Sequence, residues 1–408
     1  MRRPTAPHLR LVSDAHVARR FHGLPDRATA VALLSEANAR APAGAPVVPG
    51  RRPLWLYGAG SLGKLAYAHL AAVGQPVAGV IDRNAAACAA DPAWAGVPVL
   101  APEAVPEAVR AQALCAVAIV TLPYAPLEAA LNQAGWAHCV PVYDVTEAFR
   151  DQHPLGNGWF AAPLGADALE AAGRVLAGFA DAQSRAHYLR FAAWRLARQE
   201  WEFSGAPVEP ATRFFIPEVS RALGHAERFL DAGAHHGTVV ARLLEITRGA
   251  ISTVWAVEPD AESRAVLNAY VGGLDLDLRA RIQVLDAVLG ARAEAVRFHE
   301  GLGYASQIAP TGRTLRASVP LDALTLDPSF VKLHLEGGER DALAGARQTL
   351  LRHRPIIAAT VYHDAAGLIE TPAWLMSELP DYSVLMRTHG WCGTGAVLYA
   401  IPTERVAR

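Results

Sequence analysis

The feature that most constrains the fold of this chain is a short apolar run followed by a glycine-rich turn and a helical pattern, which occurs twice. One copy is residues 54–70, LWLYGAGSLGKLAYAHL, and the other is residues 228–246, RFLDAGAHHGTVVARLLEI. Glycine allows a tight turn after a strand, and the N-terminus of the next helix presents N–H groups to a ligand. Each segment therefore predicts a nucleotide or cofactor site at the carboxyl end of a parallel sheet.

Strand and helix patterns alternate around both turns, which predicts an α/β fold with two mostly parallel sheets. A chain of 408 residues, of which 52% are hydrophobic, is expected to form more than one core. We predict an N-terminal extension and linker at 1–50 with one helix at 27–40, a small Rossmann-like domain at 51–150, a helical connector without strands at 151–225, and a second Rossmann-like domain at 226–408.

The second Rossmann-like domain has the more detailed pattern. Its last two strands have no helix between them, so they should form an antiparallel hairpin at the edge of the sheet. We predict strands at 228–232, 252–258, 281–288, 294–299, 330–336, 355–362, 382–387 and 396–401, and helices at 237–247, 260–271, 339–352 and 370–379.

Composition excludes two classes of protein. The net charge is −1 and the pI is about 7.0, so we expect no nucleic-acid partner. No run approaches the roughly 18 apolar residues of a membrane span, and the N-terminus lacks the apolar region of a signal peptide. The four cysteines form no CxxC motif. We therefore expect a cytoplasmic protein with reduced, buried thiols.

The first glycine loop matches a dinucleotide-binding pattern. GAGSLG supplies Gly58, Gly60 and Gly63, and Asp82 follows 24 residues after Gly58 (82 − 58), where an acid binds a ribose hydroxyl. The surrounding segment resembles small Rossmann-like domains of sugar-nucleotide-modifying proteins. Three interpretations stay open: a nucleotide or nucleotide-sugar site, a scaffold without ligand, and an NAD enzyme. The last lacks an obvious catalytic partner within 51–150.

The second glycine loop favours a ligand without phosphate. Asp231, Gly233 and Gly237 form a D-x-G-x-x-x-G pattern in which His235 replaces the middle glycine of the dinucleotide motif. A side chain at that position would crowd a pyrophosphate. Glu258 ends the next strand, 25 residues after Gly233 (258 − 233), where a carboxylate can bind both ribose hydroxyls. A ribose without phosphate points to S-adenosylmethionine (SAM).

Residues 228–401 resemble the FkbM family of SAM-dependent methyltransferases, through the segments FLDAGAHHG, WAVEPD, VPLDAL, VKLHLEGGERDALAGA and VYHD. Residues 181–203 and FFIPEV also resemble longer members with an N-terminal Rossmann-like domain. The resemblance implies a class I methyltransferase fold and, usually, O-methylation in polysaccharide, glycolipid or natural-product pathways. It implies that the loop of Asp231, Gly233, His235 and Gly237 binds SAM, that Glu258 binds its ribose, and that Asp286 lies near the adenine. Asp286 as an ordinary strand-end cap is the alternative.

The chain departs from the family pattern K-x-D-x-E-G, because it has Lys332, His334, Glu336 and Gly337. Side chains two residues apart share one face of a strand, and His363 ends the next predicted strand, so His334, Glu336 and His363 should lie together. They are either the general base for a substrate hydroxyl, which we take as the catalytic assignment, or a two-histidine, one-carboxylate metal site. A third interpretation makes His334 a hydrogen-bonded core residue. Lys332 should form an ion pair with Asp231 or Glu336.

These features predict a SAM-dependent O-methyltransferase that acts on a sugar, glycan or natural-product hydroxyl. The alternative is a non-catalytic protein that binds a nucleotide-sugar and carries a degenerate methyltransferase domain. The loop EGLGYASQI, with Tyr304 and Ser306, either lines the acceptor pocket or is a surface turn. The apolar helical patterns of 165–203 weakly suggest the surface of a homodimer.

Overall fold

The computed structural model describes residues 16–42, 44–155 and 157–406. Within them the strands form a five-stranded and a seven-stranded sheet and two smaller ones. The protein is therefore a mixed α/β protein whose five-stranded sheet is parallel and whose larger, seven-stranded sheet is mixed. In the same ranges, no helix is long and apolar enough to cross a membrane.

The N-terminal segment contributes one strand and one helix before the first sheet. The predicted helix at 27–40 is confirmed, and Asp26 caps it by accepting a hydrogen bond from the Thr29 amide. The strand that precedes it pairs in parallel with a strand near residue 200. The two elements are β1 (Ala18–Phe21) and α1 (Arg27–Ala39).

The five-stranded sheet is wholly parallel, in the order β4-β3-β2-β5-β6, and its central strand β2 is buried along its whole length. Complete burial explains why this strand reads as a continuous apolar run. The elements are β2 (Leu54–Tyr57), α2 (Ser61–Ala72), β3 (Gly79–Ile81), α3 (Ala85–Cys88), β4 (Val99–Leu100), α4 (Glu107–Gln112), β5 (Leu114–Val117), α5 (Tyr124–Gln133), β6 (Cys139–Pro141) and α6 (Val142–Thr146).

The segment between the two large sheets contains a strand, so the prediction of a purely helical stretch was wrong. This strand is the four-residue β7 that pairs with β1. The two long helices pack in one hydrophobic core with α1 and the seven-stranded sheet, rather than standing apart as a connector. The elements are α7 (Ala166–Gly178), α8 (Ala182–Ala197), β7 (Glu200–Phe203) and α9 (Pro217–Ala222).

The seven-stranded sheet has the order β10-β9-β8-β15-β16-β18-β17, with β18 antiparallel to both of its neighbours. The predicted edge hairpin is therefore confirmed. The elements are β8 (Glu227–Ala232), α10 (Thr238–Thr247), β9 (Ile251–Val257), α11 (Ala261–Gly272), α12 (Leu276–Arg279), β10 (Ile282–Leu285), β11 (Val288–Leu289), β12 (Glu294–His299), β13 (Gln307–Ile308), β14 (Thr314–Val319), β15 (Phe330–Leu333), α13 (Glu339–Ala344), α14 (Arg347–His353), β16 (Ile356–Thr360), α15 (Glu370–Glu378), β17 (Tyr382–Thr388), β18 (Ala396–Pro402) and α16 (Thr403–Val406).

Two predicted elements are each divided in the structure. The strand at 281–288 divides into β10 of the large sheet and β11 of a small sheet of order β11-β14-β12-β13. The helix at 339–352 divides into α13 and α14 at Gly345, whose Cα lies so close to the Gly290 carbonyl that a Cβ would be 2.1 Å from its oxygen. The close approach of the two segments explains the break.

Candidate active site

A cavity lies at the carboxyl ends of β8, β9 and β15, the edge at which open α/β sheets bind ligands. The second glycine loop forms one wall and the segment after β12 forms another. Its lining residues are Gly233, His235, Val257, Glu258, Pro259, Ala287, Val288, Leu289, Phe298, Gly303, Tyr304, Ser306, Gln307, Ile308, His334, Leu335 and Gly338.

The loop after β8 has a conformation that requires its glycines. Gly233 has φ +76°, and a Cβ there would lie 2.0 Å from the His334 carbonyl oxygen. Gly237 has φ +84°, and its Cβ would meet the side chains of Leu267 and Tyr270 at 2.9 and 2.8 Å. His235 lies between them with φ +49° and lines the cavity. The backbone of the loop is thus fixed directly beside the end of β15.

Glu258 joins this loop to the end of β9. Its carboxylate accepts hydrogen bonds from the backbone N–H groups of His235, at 2.7 Å, and Asp260, at 2.8 Å. Burial raises the pKa of Glu258, and these bonds counteract that effect. Each carboxylate oxygen keeps a further lone pair, and the side chain lines the cavity. Glu258 is therefore placed to accept hydrogen bonds from two vicinal hydroxyls.

Asp231 lies beneath the loop rather than in the cavity wall. Its carboxylate is fully buried and forms an ion pair with Lys332 Nζ at 2.8 Å. The ammonium group also donates to the carbonyl oxygens of Ala232 and Gly233, at 3.2 and 2.7 Å. Of the two partners expected for Lys332, the structure selects Asp231. The pair holds β15 against the start of the glycine loop.

Asp286 also lies outside the cavity wall, although the three residues that follow it line the cavity. Its exposed carboxylate forms ion pairs with Arg264, at 2.9 Å, and with Arg316. Arg264 donates in turn to the carbonyl oxygen of Glu258. In this arrangement Asp286 orients the rim of the site through two arginines.

His334, Glu336 and His363 lie together as predicted, but in the segments that follow β15 and β16 and not on one strand face, because β15 ends at Leu333. Glu336 Oε1 lies 3.0 Å from His334 Nε2 and 3.2 Å from His363 Nε2. His334 lines the cavity and contacts the Tyr362 hydroxyl at 3.2 Å, while His363 is almost completely buried. Glu336 itself has φ +50°, an unusual backbone conformation for a side chain of this size. The cluster therefore reaches the cavity through His334.

A fourth member, Glu339, was missed in the sequence. Its Oε1 lies 2.8 Å from His363 Nδ1 and accepts from Leu335 N–H and Thr360 Oγ1. Its Oε2 accepts from Gly337 N–H. The signal was an acid in the first turn of the helix after the strand, a position that by itself indicates only a favourable helix start.

Burial and neighbouring charges shift the pKa values of the four cluster residues in different directions. Burial raises the pKa of both carboxyls, but His363 lowers that of Glu339 to about 2 and that of Glu336 further. Burial lowers the pKa of His363, yet the two carboxylates raise it well above its usual value. Burial lowers the pKa of His334 to about 3. The cavity-facing imidazole is thus neutral, and both carboxylates are ionised.

Residues 231–382 match the family model for the methyltransferase FkbM domain. They form an FkbM methyltransferase domain. The chain is similar in fold to the crystal structure of methyltransferase FkbM from Methylobacillus flagellatus KT, with TM-score 0.59 and 20% identity over 93% of this chain and 94% of that one. A precorrin-6y C5,15-methyltransferase from Geobacter metallireducens GS-15, at 13% identity over 48% of this chain and 98% of that one, has a TM-score of only 0.28. No curated protein matches the sequence significantly.

The loop after β12 closes one side of the FkbM domain's cavity. Asp260, at the N-terminus of α11, accepts from Gly301 N–H at 2.7 Å and from Ser306 Oγ at 2.8 Å. Tyr304 and Ser306 both line the cavity, so this segment contributes to the pocket and is more than a surface turn. Asp260 was not recognised in the sequence, where it reads as a helix cap, a role it also has.

The first glycine loop is held by an acidic residue after the next strand, as the loop of the FkbM domain is. Asp82 accepts from the backbone N–H groups of Ala59 and Asn84, both at 2.8 Å, as Glu258 does from its own loop. Gly58 has φ +109°, and a Cβ on Gly63 would lie 2.0 Å from the Gly58 carbonyl oxygen. Among the described residues, apart from the chain neighbours of Gly60, nothing lies within 4 Å of the position that a Cβ on Gly60 would occupy. Lys64, in the helix after this loop, forms an ion pair with Asp91.

Proposed function

We propose that this protein is a SAM-dependent methyltransferase that transfers the methyl group to a hydroxyl oxygen. The observation that carries the proposal is the shared cavity: Glu258, suited to a ribose, and His334, suited to a hydroxyl proton, line the same space. The FkbM domain supports methyl transfer as the reaction class.

The residues present fit the methyl donor. The loop around Gly233 leaves no room for a Cβ, and His235 fills the place where a dinucleotide needs space for its pyrophosphate. The Glu258 carboxylate would accept the ribose hydroxyls, and the apolar side chains of Val288 and Leu289 would cover the adenine. When bound, SAM supplies an electrophilic methyl group on a sulfonium.

The protein would then have to position the acceptor hydroxyl and accept its proton. A hydroxyl held beside His334 would be oriented for in-line attack, which is the main source of rate enhancement with an activated donor. Its proton would pass to the His334–Glu336 pair while the C–O bond forms and the methyl–sulfur bond of the donor breaks. The carboxylate 3.0 Å from His334 Nε2 would stabilise the imidazolium and offset part of the burial that lowers the pKa of His334. His363 contacts Glu336 on the side away from the cavity and does not line the cavity. The polar groups around the pocket fit a sugar, glycan or natural-product hydroxyl.

Calorimetry with SAM tests the donor site. We expect binding to the wild type and a loss of roughly a hundredfold or more in Glu258→Ala, since about 3 kcal/mol is expected from two hydrogen bonds to a charged acceptor. Asp82→Ala is the matched control, because it removes an acid with the same two backbone bonds in the first loop. Loss of SAM binding in Asp82→Ala but not in Glu258→Ala would move the donor site to the first loop.

Turnover tests the reaction itself. Production of S-adenosylhomocysteine should depend on an added hydroxyl compound and should fall strongly in His334→Ala. Full turnover in single alanine variants of His334, Glu336 and His363 alike would show that the base is elsewhere.

We also propose that the first loop binds a nucleotide or nucleotide-sugar. The support is the pair of hydrogen bonds that Asp82 accepts from the backbone of Ala59 and Asn84, together with the open space at Gly60, which a phosphate could fill. Titration with a nucleotide-sugar and with NADH tests it, and Asp82→Ala should abolish binding. If neither the wild type nor the variant binds either ligand, the N-terminal sheet is a scaffold.

A further inference from the structure

The His334–Glu336–His363 cluster has an electrostatic feature that proton transfer does not account for. His363 is only 4% exposed, and neither of its ring nitrogens forms an aligned hydrogen bond within the described part of the chain. Carboxylate oxygens nevertheless lie 2.8 Å from Nδ1 and 3.2 Å from Nε2. A buried imidazole between two carboxylates needs a positive charge among these atoms, which either a proton or a metal ion can supply.

The arrangement of the ligand atoms favours a metal ion. One donor atom from each of His334, Glu336 and His363 lies within 4.8 Å of the others. Metal–nitrogen and metal–oxygen bonds are about 2.0–2.2 Å, so two ligands at roughly 90–100° are separated by about 3.0–3.3 Å. The distances from Glu336 Oε1 to the two Nε2 atoms are 3.0 and 3.2 Å. Only the two imidazoles would have to approach each other.

We propose that His334, Glu336 and His363 bind a divalent transition-metal ion. Two imidazoles and one carboxylate suit Zn²⁺, Fe²⁺, Mn²⁺ or Co²⁺, and three protein ligands leave coordination positions open. Glu336 has its left-handed φ of +50° directly before Gly337 at φ +106°, and this turn brings its carboxylate back to the two histidines. Strained backbone of this kind is typical of functional sites.

Glu339 occupies the place of an outer partner. Metal-bound histidines usually direct their second ring nitrogen to a carboxylate, which fixes the tautomer and the ring orientation. Glu339 lies 2.8 Å from His363 Nδ1 and is itself held by the N–H groups of Leu335 and Gly337 and by Thr360 Oγ1. A slight rotation of the ring would align Nδ1–H with this carboxylate and direct the Nε2 lone pair towards the position of the ion.

The ion would face the cavity, because His334 lines it. With the ion bound, His334 and Glu336 would serve as its ligands and not as the base of the metal-free site. An acceptor hydroxyl in an open coordination position would have its pKa lowered and its orientation fixed by the ion. This role in methyl transfer rests on the proposed function, whereas metal binding does not.

Cobalt titration of the chelator-treated, full-length protein tests the site. We expect one Co²⁺ per chain, with visible d–d absorption that Zn²⁺ removes. His363→Ala should abolish the spectrum, as should Glu336→Gln, which preserves the side-chain shape. Glu339→Gln should weaken binding about 10- to 100-fold, an effect that a purely structural carboxylate would not show. His236→Ala, which removes an exposed histidine of the neighbouring loop, should bind like the wild type.

Two results would overturn the proposal. One is a folded wild type that binds less than half an equivalent of Co²⁺, in which case a proton on His363 supplies the charge. The other is unchanged binding in both His363→Ala and Glu336→Gln. SAM calorimetry on the same samples separates this failure from failure of the proposed function, because Glu258 and the glycine loop do not belong to the cluster.

Discussion

Substituting Gly233 by alanine should damage both the stability and the ligand site of the FkbM domain, because this residue joins the glycine loop to the end of β15. Its φ of +76° alone costs an alanine about 1–2 kcal/mol. In addition, the new Cβ would lie 2.0 Å from the His334 carbonyl oxygen, about 1 Å inside the shortest tolerable contact. Relief requires a backbone shift, and overpacking of this kind costs roughly 1–3 kcal/mol. The expected total is about 2–5 kcal/mol.

Gly249→Ala provides the matched control. Gly249 has nearly the same φ, +74°, but within the described part of the chain its Cβ would meet Leu278 alone, at 3.5 Å, an ordinary contact. Urea denaturation of the two variants should therefore show about 1–2 kcal/mol of destabilisation for Gly249→Ala and clearly more for Gly233→Ala. SAM affinity should fall at least tenfold in Gly233→Ala and stay unchanged in Gly249→Ala, since only the first variant displaces the loop and His334. Equal losses of stability and unchanged affinity in both would refute the role given to this contact.

Three further predictions concern the rest of the molecule. Arg195→Met should lower the free energy of unfolding by about 3–5 kcal/mol in thermal unfolding, because the buried guanidinium donates to four backbone carbonyls, those of Asn157, Trp159, Tyr362 and Gly393. As a control, Arg174→Met, which removes an exposed arginine, should change it by less than about 0.5 kcal/mol. Burial raises the pKa of Asp181, but hydrogen bonds from Arg387 and Ser184 lower it below 3.8 overall. The contribution of Asp181 to the free energy of unfolding is therefore complete above about pH 4 and is lost as pH falls through the lowered pKa. Over that pH range, the urea midpoint of Arg387→Met should fall less steeply than that of the wild type. Cys88 should be the first of the four thiols to react with a thiol reagent in the native protein, because the other three are buried.

Local patterns were sufficient to predict most of the parallel strands. Buried strands such as β2 and β16 are continuous apolar runs, and the edge hairpin follows from two strand patterns without a helix between them. The pairing of β1 with β7 could not be predicted in this way. It joins Ala18 to Glu200 across about 180 residues, and four residues directly after a long helix give too short a pattern.

The candidate site was predictable only where spacing determines position. His334, Glu336 and His363 follow the carboxyl ends of the neighbouring parallel strands β15 and β16, so their convergence was predictable. The predicted shared strand face was wrong, because β15 ends at Leu333 and Glu336 has φ +50°. Glu339 and Asp260 act through turns and helix starts, whose side-chain directions depend on tertiary contacts. Asp286 ends its strand as expected, but Arg264 and Arg316 hold its carboxylate at the rim.

The two glycine loops share one pair of backbone hydrogen bonds to an acidic residue but differ in the space beside it. In both, an acid after the second strand accepts from a loop N–H and from the N–H two residues beyond itself, which are Ala59 and Asn84 for Asp82, and His235 and Asp260 for Glu258. The loops differ around these hydrogen bonds. In the first loop Gly60, next to the donor Ala59, leaves open space, whereas in the second loop the donor His235 itself carries an imidazole that lines the cavity. Open space at a helix start suits a phosphate, and an occupied position excludes one. We therefore expect the two loops to select different ligands even though the acid in each makes the same pair of backbone bonds.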